Sequence, residues 1–141
     1  MKGRELIRHD CRQVCIHEGG HTFVARALGY HAHYRIEPTE MGDQYTCAYV
    51  GKTHFHSANI EDAHYRWICL AGAIAVAFDR DRDIDTMDLA DALPEELSET
   101  DAQGAGEYTD DDVAVTLELV RQSWSEIEHE TRLRVSAEDL A

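Results

Sequence analysis

Residues 14–29 read VCIHEGGHTFVARALG, and this stretch decides the fold. Val14, His17, His21, Val24 and Leu28 recur at spacings of three and four, which puts them on one face of a helix. That face is otherwise apolar, so two histidines point towards an interior rather than into open water. The spacing predicts a helix from about Arg4 to Leu28, with a break admitted near Asp10. Gly29, just past Leu28, is its natural C-terminal stop.

Within the helix, His17-Glu18-Gly19-Gly20-His21 carries the chemistry. Histidines at i and i+4 project on the same side about one turn apart, so both imidazoles can hold one Zn²⁺. Zinc lowers the pKa of a bound water towards about 7, and a neighbouring carboxylate can take its proton. Glu18 stands where it can do so, then pass the proton to a leaving amine. Gly19 and Gly20 each cost roughly 1 kcal/mol in a helix interior. That expense makes sense where a strand, a substrate or another helix comes close to the backbone. The competing reading is an ordinary helix with two core or surface histidines. A third histidine six residues after His21 is excluded, because Ala27 stands there, so a later Asp or Glu must complete the set.

Outward from this helix, Tyr30 to Pro38 alternates. Tyr30, Ala32, Tyr34 and Ile36 lie on one side, and His31, His33, Arg35 and Glu37 on the other, as in a half-buried strand. Gln44 to Val50 is expected as its hairpin partner, turning at Met41-Gly42-Asp43. Ser57 or Asn59 is placed to cap the next helix, whose stripe is Ile60, Ala63, Trp67, Leu70, Ala71, Ile74 and Phe78. Its alanines and Gly72 allow close packing against the first helix. Asp79 to Glu99 is acidic and contains Pro94; it reads as a loop with one short helix around Met87 to Leu93. A helical turn over Asp101 to Ala105, capped by Ser98 or Thr100, follows. Thr109 and Asp112 resemble a capping box, opening a helix with Val113, Leu117, Val120, Trp124 and Ile127 on one face, continuing to about Arg134. The tail Ser136 to Ala141 reads as the start of another turn. A chain of 141 residues suits one domain.

Thirteen Lys and Arg against 28 Asp and Glu give a formal net charge of −15. Such a surface repels phosphate backbones and anionic lipid, which argues against nucleic-acid and membrane partners. The nearly apolar run Ile68 to Phe78 falls well short of the roughly 20 residues that span a bilayer. The polar segment Met1 to Asp10 lacks the apolar centre of a signal peptide, so a cytoplasmic setting is expected. Cys11, Cys15, Cys47 and Cys69 are then read as reduced thiols, with a four-cysteine structural zinc as the lesser alternative. His31, His33, His54, His56 and His64 are read as surface or packing residues, because none has a ligand spacing.

The stretch from Val14 to Gly29 resembles the peptidase domain of the FtsH-type zinc metalloproteases. That family shows HEAGH, then a V-A pair and a strand ending in I-x-P; here stand Val24-Ala25 and Ile36-Glu37-Pro38. Ala71 to Ala75 is similar to the family's A-G-R-A-A segment without its charges. Glu99-Thr100-Asp101-Ala102-Gln103-Gly104-Ala105 is similar in place and form to the S-N-D-x-x-x-A motif that supplies the family's third ligand. The tail Leu133 to Leu140 resembles its closing segment. The resemblance implies a predominantly helical α+β, zincin-like metallopeptidase domain with a small β-hairpin. It implies Zn²⁺ held by His17, His21 and Asp101, with Asp85, Asp88 and Glu107 as fallbacks, and Glu18 as catalytic base. The 141 residues show no G-x-x-x-x-G-K-[ST] phosphate loop, so no ATPase module is expected with it. The expected activity is therefore ATP-independent hydrolysis of peptides or unfolded proteins, alone, as a homo-oligomer, or fed by a separate partner protein. The rivals are an inactive, metal- or partner-binding relic and a store for transition-metal ions.

Overall fold

The computed structural model describes residues 2–39, 49–56 and 58–138. Helix α1 runs Lys2–Ala27 without a break at Asp10. The Asp10 carboxylate caps no second helix; it accepts the Tyr49 backbone N–H at 3.0 Å and ties α1 to the hairpin. The C-terminus closes as expected at Gly29, whose φ of 97° suits a residue without a side chain. There the Gly29 and Tyr30 N–H groups donate back to Arg26 and Ala25.

Strand β1 is Ala32–Pro38 and β2 is Tyr49–Phe55, antiparallel, from Ala32 opposite Phe55 to Pro38 opposite Tyr49. The second strand thus lies later than Gln44 to Val50. The expected turn at Met41-Gly42-Asp43 falls outside the described residues. Gly51 and Lys52 interrupt the apolar alternation of β2. Gly51 is there because a Cβ would come within 2.5 Å of Glu18 and 2.7 Å of Val14 on α1. The alternation of β1 is as read: Ala32 and Tyr34 are buried, while His33, Arg35 and Glu37 are exposed.

Helix α2 spans Asp62–Arg80, with Glu61 rather than Asn59 at its N-cap and no side-chain cap bond. Asn59 instead takes a left-handed turn at φ 62°, and Ser57 falls outside the described residues. Helix α3, Thr86–Glu96, is longer than the expected short helix. Its N-cap Asp85 accepts the Asp88 N–H, its last turn tolerates Pro94, and Leu89 and Leu93 are buried. Helix α4 is Glu99–Ala105, capped by Ser98. Helix α5, Asp110–Ala137, begins at the Thr109–Asp112 capping box and runs three residues past Arg134. Of the tail, residues beyond 138 lie outside those described.

Among the described residues the fold is mostly helical with one small two-stranded antiparallel sheet. Helices α1, α2 and α5 pack on one another, the hairpin lies on α1, and α4 leans on α2. Ile16, Leu70, Ile74, Leu117 and Ile127 are fully buried between these helices, each stabilising by about 1.5–3 kcal/mol. The glycine pair in α1 has its explanation here. A Cβ on Gly20 would meet the Ala71 carbonyl oxygen at 2.6 Å and the Ala75 Cβ at 2.7 Å. The close neighbour of that backbone is another helix. Among the described residues, no helix is long and apolar enough to cross a membrane.

Candidate metal centre

Close packing of α1 on α2 sets the two histidines. His21 is buried, and its Nδ1 lies 2.6 Å from the Ile68 carbonyl oxygen of α2. A carbonyl only accepts, so Nδ1 carries the proton. In the neutral ring the Nε2 lone pair is then free, which is the form that binds a metal. His21 Nε2 faces His17 Nε2 at 3.1 Å.

Helix α4 brings the carboxylate. Ser98 Oγ accepts the Asp101 N–H and fixes the first turn. Gly104 and Ala105, three and four residues on, share the Asp101 face; a Cβ on Gly104 would come within 2.5 Å of the Cys69 sulfur. Glycine there lets α4 close on α2, and Asp101 Oδ2 arrives 3.2 Å from His17 Nε2 and 3.3 Å from His21 Nε2. The three ligand atoms form a triangle with edges of 3.1, 3.2 and 3.3 Å. Ligands 2.0–2.1 Å from a tetrahedral ion stand about 3.3–3.4 Å apart. The group could therefore hold a metal ion with little rearrangement.

Electrostatics agree with that use. Burial works to raise the Asp101 carboxyl, but hydrogen bonds from His17 and His21, and their charge, outweigh it and hold it well below the usual carboxylate range. Burial disfavours charge on His21, yet the Asp101 carboxylate, Glu18 and the Ile68 carbonyl together raise it. The carboxylates thus draw positive charge, a proton or a metal ion, to the point where the two imidazoles meet. Space is reserved as well, since a Cβ on Gly72 of α2 would lie 2.5 Å from His21 Nε2 and 2.7 Å from His17 Nε2.

Glu18 lines the same cleft, about 480 Å³, with His17, His21 and Asp101. Its Oε1 accepts the Thr53 hydroxyl of β2 at 2.7 Å. The structure therefore gathers His17, Glu18, His21 and Asp101. It does not bring in the fallbacks: Asp85 caps α3, and Asp88 and Glu107 are exposed. Sequence reasoning missed Gly51, Thr53, the Ile68 carbonyl and the clearance at Gly72. The first two followed from the misplaced second strand, and a main-chain oxygen leaves no trace in residue identity.

Among the described residues, the cysteines do not form a common site. Cys11 and Cys15 are buried with Tyr34 and Tyr49, whereas Cys69 belongs to the main core. Cys47 lies outside the described residues. Burial and the adjacent Asp101 carboxylate push the Cys69 thiol up to about 11, so it is neutral near pH 7. Comparison of the chain with models of known families, and with curated proteins, gives no match.

Proposed function

We propose that this chain is a zinc-dependent peptidase of the HExxH type, a zincin-like domain related to the FtsH-type peptidases, acting without ATP in a cytoplasmic setting. The observation that supports it best is the near-equilateral triangle of His17 Nε2, His21 Nε2 and Asp101 Oδ2 beside a hydrogen-bonded Glu18. The donor set, two imidazoles and a carboxylate, matches that of catalytic zinc. Zinc bound there supplies a Lewis acid for a peptide carbonyl and makes a water more acidic. The protein's own groups do the rest. Asp101 neutralises charge and Ile68 fixes the His21 ring. Glu18, oriented by Thr53, takes a proton from the attacking water and returns it to the leaving nitrogen. Gly51, Lys52 and Thr53 line the cleft on β2, and an extended peptide can add there as a further strand. The substrate is then a small or already unfolded polypeptide, delivered freely, within a homo-oligomer, or by a partner protein.

Glu18→Gln keeps the size of the side chain and removes the base. It is expected to retain zinc by elemental analysis and to lose about 10²–10⁴-fold in casein hydrolysis. Undiminished hydrolysis overturns the mechanism. Zinc lost from His17→Ala but kept in Asp101→Ala moves the third ligand elsewhere. Zinc binding without any hydrolysis by the wild type favours the non-catalytic relic.

A further inference from the structure

The outward face of the hairpin carries a second group of imidazoles. His33 stands directly opposite His54 in the strand register. The His56 N–H donates to the His31 carbonyl one step beyond, at 3.1 Å. His31 and His56 stand just outside the strand ends, two residues from His33 and His54, and continue the same pairing as a two-by-two patch. All four line one open cavity of about 800 Å³. The rings of His33 and His54 stack with centroids 5.3 Å apart and 24° between planes. His54 Nε2 is a buried nitrogen with no hydrogen-bond partner. Arg26, the cation on the same cavity, is already engaged: its Nε donates to the Ala32 carbonyl and its guanidinium sits over Phe23.

We propose that His33 and His54 are the core of a second metal site, which takes a borderline divalent transition-metal ion such as Ni²⁺, Cu²⁺ or Zn²⁺, with His31 or His56 as a further ligand. Neutral imidazole is the common donor to these ions. Cross-strand neighbours have Cβ atoms about 4.5–5.5 Å apart, near enough for two rings to turn onto one ion. Two protonated rings at that separation would repel each other, whereas two imidazole lone pairs can share one cation, so the donor set suits a metal ion rather than an anion. Among the described residues, only His17, His21 and Asp101 bring three ligand atoms within 4.8 Å. The hairpin site therefore assembles by side-chain rotation. The Arg35–Lys52 pair next along the face weakens it, while the net charge of −15 works the other way. A bound ion ties β1 to β2 on the face opposite Thr53, whose hydroxyl donates to Glu18 on α1.

The test is calorimetric titration of chelator-stripped protein with Ni²⁺. Wild type is expected to take up two ions in two steps. His17→Ala/His21→Ala loses the tighter step and keeps the weaker one. His33→Ala/His54→Ala loses the weaker step, its affinity falling at least tenfold, and keeps the tighter one. Both rings face outward, so an unchanged circular-dichroism spectrum is expected and separates lost ligands from lost fold. In His17→Ala/His21→Ala, Ni²⁺ should also slow amide exchange in β1 and β2. Uptake by wild type of a single ion that His17→Ala/His21→Ala abolishes, or an unaltered second step in His33→Ala/His54→Ala, overturns the assignment. Either result leaves the zinc peptidase reading untouched, because that reading rests on the other pair.

Discussion

His17 with His21, and His33 with His54, are both neighbouring imidazoles, yet their surroundings differ in every respect that governs affinity. The helical pair lies one turn apart, with centroids at 4.7 Å and rings nearly perpendicular. A carbonyl fixes one tautomer, a carboxylate closes the triangle, and Gly72 keeps the space clear. The strand pair is stacked and partly open to solvent, flanked by more imidazole and then by Arg35 opposite Lys52. The first pair is oriented before any ion arrives; the second must turn its side chains to bind. The contrast teaches that the histidine count says little about affinity. Orientation by the surrounding groups decides it.

The sharpest way to break this contrast is to fill the space at Gly72. Gly72→Ala puts a methyl group within 2.5–2.7 Å of both Nε2 atoms, so the rings must turn away. The same change removes a helix-interior glycine, worth up to about 1 kcal/mol in stability. Turning His21 loosens its buried hydrogen bond to Ile68, which offsets the helix-propensity gain, so the expected outcome is zinc affinity falling by about 100-fold or more while the metal-free Tm changes little. The hairpin step in the Ni²⁺ titration should not move. Wild-type zinc affinity in Gly72→Ala would show that the site adapts as readily as the hairpin does.

A smaller effect is expected from Thr53→Val, which keeps the shape of the side chain and deletes the hydroxyl that Glu18 accepts. A hydrogen bond to a charged group contributes about 1.5–3 kcal/mol. Because the bond serves to orient the base, its loss should lower kcat about tenfold. KM and zinc content should stay near wild type. An unchanged kcat would mean that the inner face of the hairpin only covers the site.

Much of this was legible in the sequence, for reasons that can be located. The helical face of α1 could be read because its apolar spacing and its histidines coincide. The Ser98 cap and the Thr109–Asp112 box were visible because capping chemistry is local. The outward positions of His31 and His33 followed from strict alternation. Less legible was β2, where the need for a side-chain-free position against α1 put Gly51 in the middle of a strand. The length of α3 was hidden by Pro94, which the last turn tolerates. The pairing of His33 with His54 was beyond reach, since register depends on where the second strand begins.

The smallest predicted effect controls the comparison itself, by asking whether metal affinity follows local orientation or overall stability. Asp112 serves because it is structural and belongs to neither histidine pair. Its Oδ2 accepts the Thr109 N–H, and its Oδ1 accepts the Trp67 indole N–H at 2.9 Å, which joins the start of α5 to α2. Burial works against charge on this carboxyl, but those donors and Arg66 outweigh it and lower its pKa. A lowered pKa contributes stability that is fully present above the unfolded value near 3.9 and fades as pH falls below it. Asp112→Ala should cost about 1–2 kcal/mol, a drop of about 3–8 °C in Tm at pH 7. The gap from wild type should narrow below about pH 4. Metal affinity at both sites should change less than twofold. Should zinc binding weaken in step with Tm, the triangle on α1 and α4 would be held by the fold at large, and the preorganisation that separates the two pairs would belong to the whole helical core.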